Sequence, residues 1–260
     1  MVGAEDVAAF QRDGAVMLRG AMAEWVDVIR SGIARNMAEP GPYASENAVT
    51  QGRFFDDYCN WQRIPEFEAV IRDSPASRIA AEVMQSPHAQ FFHDHVLVKE
   101  AGTPKPTPWH ADSPYYFVEG SQTVSFWIPV DPVDDASLRF IAGSHRWEKM
   151  VRPVSWADDS DFYDDGSWLP VPDPDADPGA LSVLEWAMQP GDVVLFDFRT
   201  VHGARGNLGR ARRRALSLRF VGENARFTSR PGRTSPPFPG HGMRPGERLR
   251  PDWFPILKIQ

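Results

Sequence analysis

The sequence predicts a mainly β protein with flanking helices, built around a jelly-roll core. Three features of the 260 residues support this prediction. Apolar residues in the first third recur at helical spacing, whereas the chain after Pro87 contains short runs rich in Val, Phe, Leu and Ile. Turn signals such as Gly102-Thr103-Pro104 and Ala142-Gly143-Ser144 separate these runs, which is typical of a β-sandwich or barrel. A helical layer packed on a jelly roll fits this order of elements.

The helical elements come first along the chain. A short helix over residues 5–12 is expected to end at the turn signal Asp13-Gly14. Ser74-Pro75 is expected to interrupt a later helix, with the Ser74 side chain capping its second piece. The full set before residue 87 is helix 5–12, strand 15–18, amphipathic helix 21–37 and the interrupted helix 67–84.

Five strands are expected after residue 87, at 91–99, 122–130, 138–141, 193–198 and 213–221. We expect a single domain over residues 1–260, with a helical layer at about 1–87, a jelly-roll core at about 88–225 and an irregular Arg- and Pro-rich tail at 226–260.

Residues 155–180 differ in composition from the rest of the chain. They contain eight Asp and no Lys or Arg, so they are expected to form a long surface loop. Asp173 to Asp177 has the spacing of a calcium loop but lacks the later glycine and glutamate, which disfavours calcium.

Charge and cysteine content narrow the possible functions. The net charge of −7 argues against nucleic-acid binding, and one cysteine, Cys59, excludes an intramolecular disulfide framework. The N-terminus has no basic and apolar leader, and no run of 18 apolar residues is present. We therefore expect a cytoplasmic protein that neither binds nor spans a membrane.

The pair His110 and Asp112 is the most informative local feature. Residues i and i+2 of a strand point to the same face, so both side chains can reach one ion. His202 lies far downstream, just beyond an expected strand. Two histidines and one carboxylate form the ligand set that holds non-haem Fe(II) and leaves positions open for substrates and O2. The alternative for an isolated His-x-Asp is a surface hydrogen bond, and convergence of His202 on the pair would decide between them.

Arg213, eleven residues after His202, is a candidate anion ligand. A buried arginine binds a carboxylate with two parallel hydrogen bonds. Ser217 shares its strand face and could add a hydroxyl to the same anion. The dicarboxylate 2-oxoglutarate would satisfy both sites, with one end on the iron and the far carboxylate on Arg213. The alternative is that Arg212-Arg213-Arg214 is an exposed basic cluster.

Together these residues resemble the phytanoyl-CoA dioxygenase (PhyH-like) family of Fe(II)/2-oxoglutarate-dependent oxygenases. The resemblance runs from about residue 5 to 225 and implies a double-stranded β-helix (jelly-roll, cupin-like) core. Its matching segments are Trp109 to Asp112, Ser125 to Asp131, Leu138 to His145, Gly191-Asp192 leading to His202-Gly203, and Arg213 to Ser217.

The resemblance implies that iron is held by His110, Asp112 and His202. It implies that Arg213 binds the far carboxylate of 2-oxoglutarate and that Lys99 lies near this cosubstrate. The implied reaction uses O2 and decarboxylates 2-oxoglutarate to succinate while oxidising a small or medium organic molecule.

The resemblance favours one type of reaction but does not identify the substrate. Related halogenases have a small residue in place of the carboxylate, so Asp112 favours hydroxylation. The chain departs from common family patterns at Ala136-Ser137 and at Ala204, so the resemblance does not identify the substrate.

Candidates for the pocket wall lie close to the metal motif in the sequence. Tyr115 and Tyr116 follow it directly and could line a substrate pocket or belong to the core. Gln122 is a cofactor-binding candidate and Trp127 a substrate-binding candidate, although on a regular strand the two point to opposite faces. For the His-x-His pair beginning at His93, structural hydrogen bonding or a place in the site wall is favoured over metal binding.

Two other functions remain possible from the sequence alone. One is a jelly-roll binding protein without catalysis, and the other is a zinc hydrolase that uses the same three ligands. The expected partner is a small molecule. The Arg-rich segment over residues 205–250 could receive an anionic group or be solvated, and the oligomeric state is left open.

Overall fold

The computed structural model describes residues 2–46, 52–134, 137–154, 166–177 and 179–259. The α-helices in these ranges are α1 (Ala4–Asp13), α2 (Val26–Ala38), α3 (Pro65–Asp73) and α4 (Ala76–Val83). The strands in the same ranges are β1 (Ala15–Leu18), β2 (Ser45–Glu46), β3 (Phe54–Tyr58), β4 (Ala89–Lys99), β5 (Thr107–His110), β6 (Val118–Glu119), β7 (Thr123–Pro129), β8 (Leu138–Ile141), β9 (Val183–Glu185), β10 (Val193–Phe196), β11 (His202–Ala204), β12 (Arg213–Val221), β13 (Arg226–Phe227) and β14 (Ile256–Leu257). The predicted fold class, mainly β with flanking helices and a jelly-roll core, is confirmed.

The end of α1 requires a glycine, as the turn signal predicts. Gly14 has a left-handed φ of +79°, and its N–H donates to the carbonyl of Phe10. A Cβ at this position would lie 2.4 Å from side-chain atoms of both His145 and Thr200. Both the backbone conformation and the close packing therefore exclude a larger residue here.

The remaining helices follow the sequence expectations with one shift. Helix α2 begins at Val26, after a 3₁₀ turn at Ala23–Trp25, and so starts later than the expected residue 21. Helices α3 and α4 are separated at Ser74-Pro75, where the Ser74 hydroxyl accepts the N–H of Ala76 at 3.2 Å. Within the described ranges no helix combines the length and apolar character needed to cross a bilayer.

Two larger sheets face each other. The eight-stranded sheet has the order β1-β10-β7-β12-β4-β3-β2, with β14 beside β4, and the four-stranded sheet has the order β5-β11-β8-β9. Strands β13 and β6 form a separate pair. One apolar cluster joins Trp127, Phe196 and Ala215 of the larger sheet to Leu138 and Phe140 of the smaller one. These contacts place the interior of the jelly roll between the two sheets.

Strand β12 separates the interior from the helical layer. Leu216, Leu218 and Phe220 belong to the apolar cluster that includes side chains of α2, α3 and α4. The alternate residues, from Arg213 to Arg219, point to the opposite side, into the jelly roll. Because β4 and β7 pair with β12 along its two edges, polar groups on this inner face are enclosed by neighbouring strands.

Two segments differ from the expectations. Residues 54–58, inside the layer expected to be helical, form β3, which pairs with β4 from Phe54 opposite Lys99 to Tyr58 opposite His95. The tail after residue 226 has little regular structure, as expected, but it is not loosely attached. Its residues Phe238, Met243 and Phe254 join a cluster with Phe92. The expected irregular tail therefore completes part of the core.

The acidic segment is described only in part. The surface-loop prediction for residues 155–165 and 178 lies outside the described residues. In the described part, Asp175 forms a two-pronged ion pair with Arg139, at 2.6 and 2.8 Å. This pair links the segment to β8 of the smaller sheet.

Candidate active site

The three predicted metal ligands come together at the edge of the smaller sheet. His110 ends β5 and His202 begins β11, and the two residues are direct partners in the antiparallel register. Asp112 follows β5 and precedes a 3₁₀ turn at Ser113–Tyr115. One ligand atom from each of the three buried side chains lies within 4.8 Å of the other two. The strand pairing therefore brings a distant histidine onto the His-x-Asp pair.

Backbone carbonyls orient both imidazoles. The Nδ1 of His110 donates to the Pro108 carbonyl at 2.7 Å, and the Nδ1 of His202 donates to the Thr200 carbonyl at 2.9 Å. A carbonyl can only accept, so each Nδ1 carries the proton and each Nε2 carries a lone pair. Burial lowers the pKa of His110 to about 3 and also lowers that of His202, which keeps both rings neutral. Neutral imidazoles oriented through Nδ1 are the form in which histidine binds metals.

Asp112 supplies the negative charge of the site. Its Oδ1 lies 3.8 Å from the Nε2 of His110 and 3.8 Å from the Nε2 of His202. The Ser125 hydroxyl donates to Oδ2 at 2.8 Å, and Nη2 of Arg219 lies 3.6 Å from the same oxygen. Burial opposes ionisation of the carboxyl, but Arg219, the two histidines and the Ser125 hydroxyl together outweigh it and lower the pKa of Asp112 to about 2. The group is thus a carboxylate, and the donor set of two neutral imidazoles and one carboxylate fits Fe(II).

Arg219 and Ser125 are site residues to which the sequence analysis assigned no role. Arg219 has the same strand parity as Arg213 and Ser217, so its inward direction could have been read from the sequence. Its contact with Asp112 could not, because that contact depends on how β5, β7 and β12 are arranged in space.

A second group of basic side chains lies at the other end of the inner face of β12. Arg213 is the direct partner of Lys99 on β4, and both are buried. The Lys99 ammonium donates to the Lys105 carbonyl and to the Thr107 hydroxyl, each at 3.1 Å. Burial, with smaller effects of Arg213 and Lys105, lowers the pKa of Lys99 to about 6, and burial lowers that of Arg213 to about 10. Two basic groups that have lost their water are stabilised by an anion.

The indole of Trp127 supports an anion site at this place. The Arg213 guanidinium lies over the Trp127 ring, 5.5 Å from its centroid. The buried Nε1 of Trp127 has no hydrogen-bond partner among the described residues. A buried donor without a partner is costly, and a carboxylate oxygen would satisfy it. The residues present therefore fit the far carboxylate of 2-oxoglutarate. Trp127, predicted as a substrate contact, lies beside the predicted cosubstrate ligand.

Two predicted cosubstrate ligands are corrected by their hydrogen bonds. Ser217 faces inward as expected, but its hydroxyl donates to the Phe126 carbonyl at 2.5 Å, so its proton is not available to an anion. Gln122 precedes β7 and bonds with Gln85 and Asn224. It lies next to Thr123, which pairs with the end of β12 opposite to Arg213. The amide of Gln122 is therefore directed to loops and not to the cosubstrate.

The two predicted pocket tyrosines have different surroundings. The Tyr115 hydroxyl donates to the Val154 carbonyl at 2.7 Å and accepts the Val154 N–H at 2.8 Å, which ties Tyr115 to a neighbouring segment. The Tyr116 hydroxyl accepts from Nε of Arg219 at 3.1 Å. Tyr116 is thus linked to the Asp112 carboxylate through Arg219, which contacts both.

Two histidines of β4, His93 and His95, lie opposite the inner face of β12. His93 is the register partner of Arg219, and His95 is the partner of Ser217. The His95 Nε2 lies 3.3 Å from the Asp56 carboxylate, and the ring of His93 lies 5.2 Å from that of Tyr116. Among the described residues, the group of possible metal ligands consists of His110, Asp112 and His202, and neither histidine of β4 belongs to it.

A family comparison agrees with this geometry. The sequence profile of the phytanoyl-CoA dioxygenase (PhyH) family matches residues 10–215, a range that includes all three proposed metal ligands and Arg213. No curated protein sequence matches the chain significantly.

Solved structures share the fold over nearly the whole chain. The carbocyclase SnoK from nogalamycin biosynthesis has a TM-score of 0.75 at 22% identity, covering 99% of this chain and 97% of its own. The epimerase SnoN, in complex with Fe3+, α-ketoglutarate and nogalamycin RO, has a TM-score of 0.76 at 21% identity, with 98% of each chain covered. EctD from S. alaskensis, with 2-oxoglutarate and 5-hydroxyectoine, has a TM-score of 0.71 at 20% identity, covering 96% of this chain and 86% of its own. At these identities the similarity shows a common fold.

Proposed function

This chain belongs to the phytanoyl-CoA dioxygenase family of Fe(II)- and 2-oxoglutarate-dependent oxygenases, and on that premise we propose that it hydroxylates a small or medium organic molecule. The observation that carries the proposal is the convergence of His110, Asp112 and His202 in the same interior as the basic pair Lys99 and Arg213. Iron and 2-oxoglutarate are the cofactor and cosubstrate of the family, and together they supply the oxidising chemistry with O2 when bound.

The proposed metal ligands are the Nε2 atoms of His110 and His202 and the Oδ1 of Asp112. The two backbone carbonyls that accept from Nδ1 fix the direction of the imidazole lone pairs. Ser125 and Arg219 hold the other oxygen of Asp112, which leaves Oδ1 directed toward the histidines. These three residues would hold Fe(II) and would leave coordination positions for the cosubstrate and O2.

The proposed anchor for the far carboxylate of 2-oxoglutarate is formed by Arg213, Lys99 and the Nε1 of Trp127. Arg213 offers a planar pair of donors that matches a carboxylate, and Lys99 adds a point charge. Because the three groups are buried, their interaction with an anion is less screened than it would be at the surface. A far carboxylate held here would leave the other end of 2-oxoglutarate directed toward the three proposed metal ligands.

Hydroxylation, and not halogenation, is favoured because Asp112 occupies the third ligand position with a carboxylate. Relatives of the same fold include a carbocyclase and an epimerase, so the outcome also depends on how the substrate is held. We propose a small-molecule substrate and a single functional domain over the whole chain.

Coupled turnover tests the proposal. The chain is incubated with Fe(II), ascorbate, O2 and 2-oxoglutarate, and succinate is measured with and without candidate substrates. We expect slow uncoupled succinate formation by the unaltered chain, a rise with a true substrate, and loss of both in His110→Ala. His88→Ala, a histidine outside the proposed site, is the matched control and should keep the uncoupled rate.

The two alternative functions give different results in the same experiment. A binding protein without catalysis would bind neither Fe(II) nor 2-oxoglutarate at millimolar concentration and form no succinate. A hydrolase would act without O2 and without 2-oxoglutarate. Either result would refute the oxygenase proposal for this chain.

A further inference from the structure

Two buried polar atoms, Nη1 of Arg219 and Nε2 of His93, take no part in the proposed contacts to the metal or to 2-oxoglutarate. Arg219 is 5% exposed and His93 is 2% exposed, and they are direct partners across β12 and β4. Partners in an antiparallel pair have side chains on the same face, about 5 Å apart at Cβ. Both side chains contact Tyr116, so they share one corner of the interior.

Arg219 is only partly satisfied by the protein. Its Nε donates to the Tyr116 hydroxyl at 3.1 Å, and its Nη2 lies 3.6 Å from the Asp112 carboxylate. Its buried Nη1 has no hydrogen-bond partner among the described residues. Guanidinium hydrogens can only be donated, so Nη1 of Arg219 is a buried donor that lacks an acceptor among the described residues.

His93 provides the complementary atom. Its Nδ1 lies 3.2 Å from the Asp94 carbonyl, and since a carbonyl only accepts, the ring proton is on Nδ1. Burial, with a further effect of the Arg219 charge, lowers the pKa of His93 well below its usual range, so the ring is neutral. The Nε2 is therefore an acceptor, and it too has no partner among the described residues.

We propose that Arg219 and His93 form a subsite for a substrate hydroxyl group beside the metal centre, an inference that rests on the proposed oxygenase function. A hydroxyl accepts from Nη1 through its oxygen and donates to Nε2 through its proton, so it satisfies both atoms at once. A carboxylate or a carbonyl would leave His93 unsatisfied, and an ammonium would leave Arg219 unsatisfied. Leaving a buried polar atom unpaired is costly, which makes such a pair selective.

The surroundings of the subsite favour a substrate with a ring. Phe92 and Tyr116 lie 4.9 and 5.2 Å from the His93 ring in edge-on arrangements. Tyr58 lies edge-on to His93 at 6.4 Å and is itself stacked on Tyr43 at 4.9 Å. Tyr58 and Tyr43 are half-buried, so this aromatic wall extends from the buried pair toward solvent. Aromatic walls of this kind bind flat apolar rings by offset or edge contacts.

Matched pairs of hydroxyl compounds and their methyl ethers test the subsite. The probes are phenol and anisole, 1-naphthol and 1-methoxynaphthalene, and cyclohexanol and methoxycyclohexane. The full chain is loaded with Zn(II) and 2-oxoglutarate, so that no turnover occurs, and each Kd is measured by ligand-observed NMR. We expect at least one hydroxyl probe to bind about tenfold or more tightly than its ether, because the ether oxygen has no proton for Nε2.

Variants of His93 assign this preference to the subsite. In His93→Phe, which keeps an aromatic ring, the ratio of ether to hydroxyl Kd should fall below about threefold. In His93→Gln, whose amide oxygen can accept, part of the preference should return. His88→Phe makes the same exchange outside the interior and should keep the original ratio. If His93→Phe does not fold, His93→Gln and the nitrogen NMR shifts of the unaltered chain still decide, since they report which nitrogen of His93 carries the proton.

The inference is overturned if no hydroxyl probe binds, if every pair binds equally, if the preference survives in His93→Phe, or if Nε2 carries the proton. Metal and 2-oxoglutarate loading is measured first on the same samples. A chain that binds 2-oxoglutarate but shows no hydroxyl preference refutes the subsite alone, whereas a chain that fails to bind 2-oxoglutarate refutes the proposed function.

Discussion

The affinity for 2-oxoglutarate should depend on pH through Lys99. In the free protein the pKa of Lys99 is lowered to about 6, mainly by burial. A carboxylate bound beside this ammonium would raise the pKa again, so the complex takes up a proton whenever the pH lies between the two values. Binding should therefore weaken as the pH rises above 6, by up to about tenfold per pH unit.

The size of the effect follows from these values. If the bound carboxylate returns Lys99 to its ordinary pKa of 10.5, Kd at pH 8 is about 50-fold higher than at pH 6. A smaller recovery of the pKa gives a smaller ratio in the same direction. The charged neighbours of Lys99 are Arg213 on β12 and Lys105 in the following loop. Arg213, with a pKa of about 10, stays protonated over this range and does not contribute to the slope.

The assay is an anaerobic titration of the Fe(II)-loaded chain with 2-oxoglutarate at several pH values, followed by the visible absorption of the complex. Lys99→Met keeps the length of the side chain and should give a Kd that does not change with pH over this range. Lys149→Met, an exposed lysine, is the matched control and should keep the original slope. A constant Kd in the unaltered chain, or the same slope in Lys99→Met, would refute the role of Lys99 at the anion site.

Three further predictions concern the metal ligand, the cosubstrate anchor and a buried acid. Ser125→Ala removes the 2.8 Å hydrogen bond to Asp112 and should raise the Kd for Fe(II) about 10- to 100-fold in a metal titration. Arg213→Ala should weaken 2-oxoglutarate binding by about 2–4 kcal/mol, measured as Kd in the same absorption titration. Burial raises the pKa of Asp197 to about 7, above its usual 3.8, so its contribution to the free energy of unfolding is greatest below pH 3.8 and is lost as the pH rises through 7. Asp197→Asn should therefore be more stable than the unaltered chain at pH 8, by up to roughly 4 kcal/mol in urea unfolding, with the gain fading toward pH 4.

Each of these predictions has a control and a contrary result. Ser121→Ala, on an exposed turn, should leave the Fe(II) Kd unchanged, and an unchanged Kd in Ser125→Ala would contradict the orienting role of that hydroxyl. Arg248→Ala should bind 2-oxoglutarate normally, and normal binding by Arg213→Ala would remove Arg213 from the anchor. A gain in stability of Asp197→Asn that did not vary with pH would show that its cause is not the ionisation of the carboxyl.

The metal site could be predicted because two of its three proposed ligands lie close together in the sequence. His110 and Asp112 are two residues apart, and the strand period predicted that both side chains reach one ion, although Asp112 lies just beyond the end of β5. His202 required one further step, namely that an apolar strand before it ends at the rim of a sheet. The buried, inward position of Arg213 was predicted in the same way, from its place at the start of an expected strand, whereas its role as a carboxylate ligand stays a prediction.

The predictions that failed depend on contacts between distant strands. The parity of Ser217 was read correctly, but the Phe126 carbonyl that takes its proton belongs to another strand and is set by the β7–β12 register. Gln122 was assigned to a strand that begins one residue later, so its side chain bonds with loops. Strand β3 was missed because it contains two consecutive Asp residues, at positions 56 and 57, and aspartate is rare in strands.

A β-bulge between β4 and β12, with its extra residue Phe92 on β4, has a consequence for how far the protein can change without losing its chemistry. The register with β4 is regular from Arg213 to Arg219 and shifts just after Arg219. The spacing between the two arginines is therefore that of an unbroken strand, about 20 Å for six residues. Insertions or deletions beyond the bulge can reshape the neighbourhood of His93 while the opposite end of the strand keeps its alignment. Changes at the Arg219 end of the strand would thus alter which molecule is recognised in the proposed subsite, while the proposed 2-oxoglutarate anchor at the Arg213 end keeps its geometry.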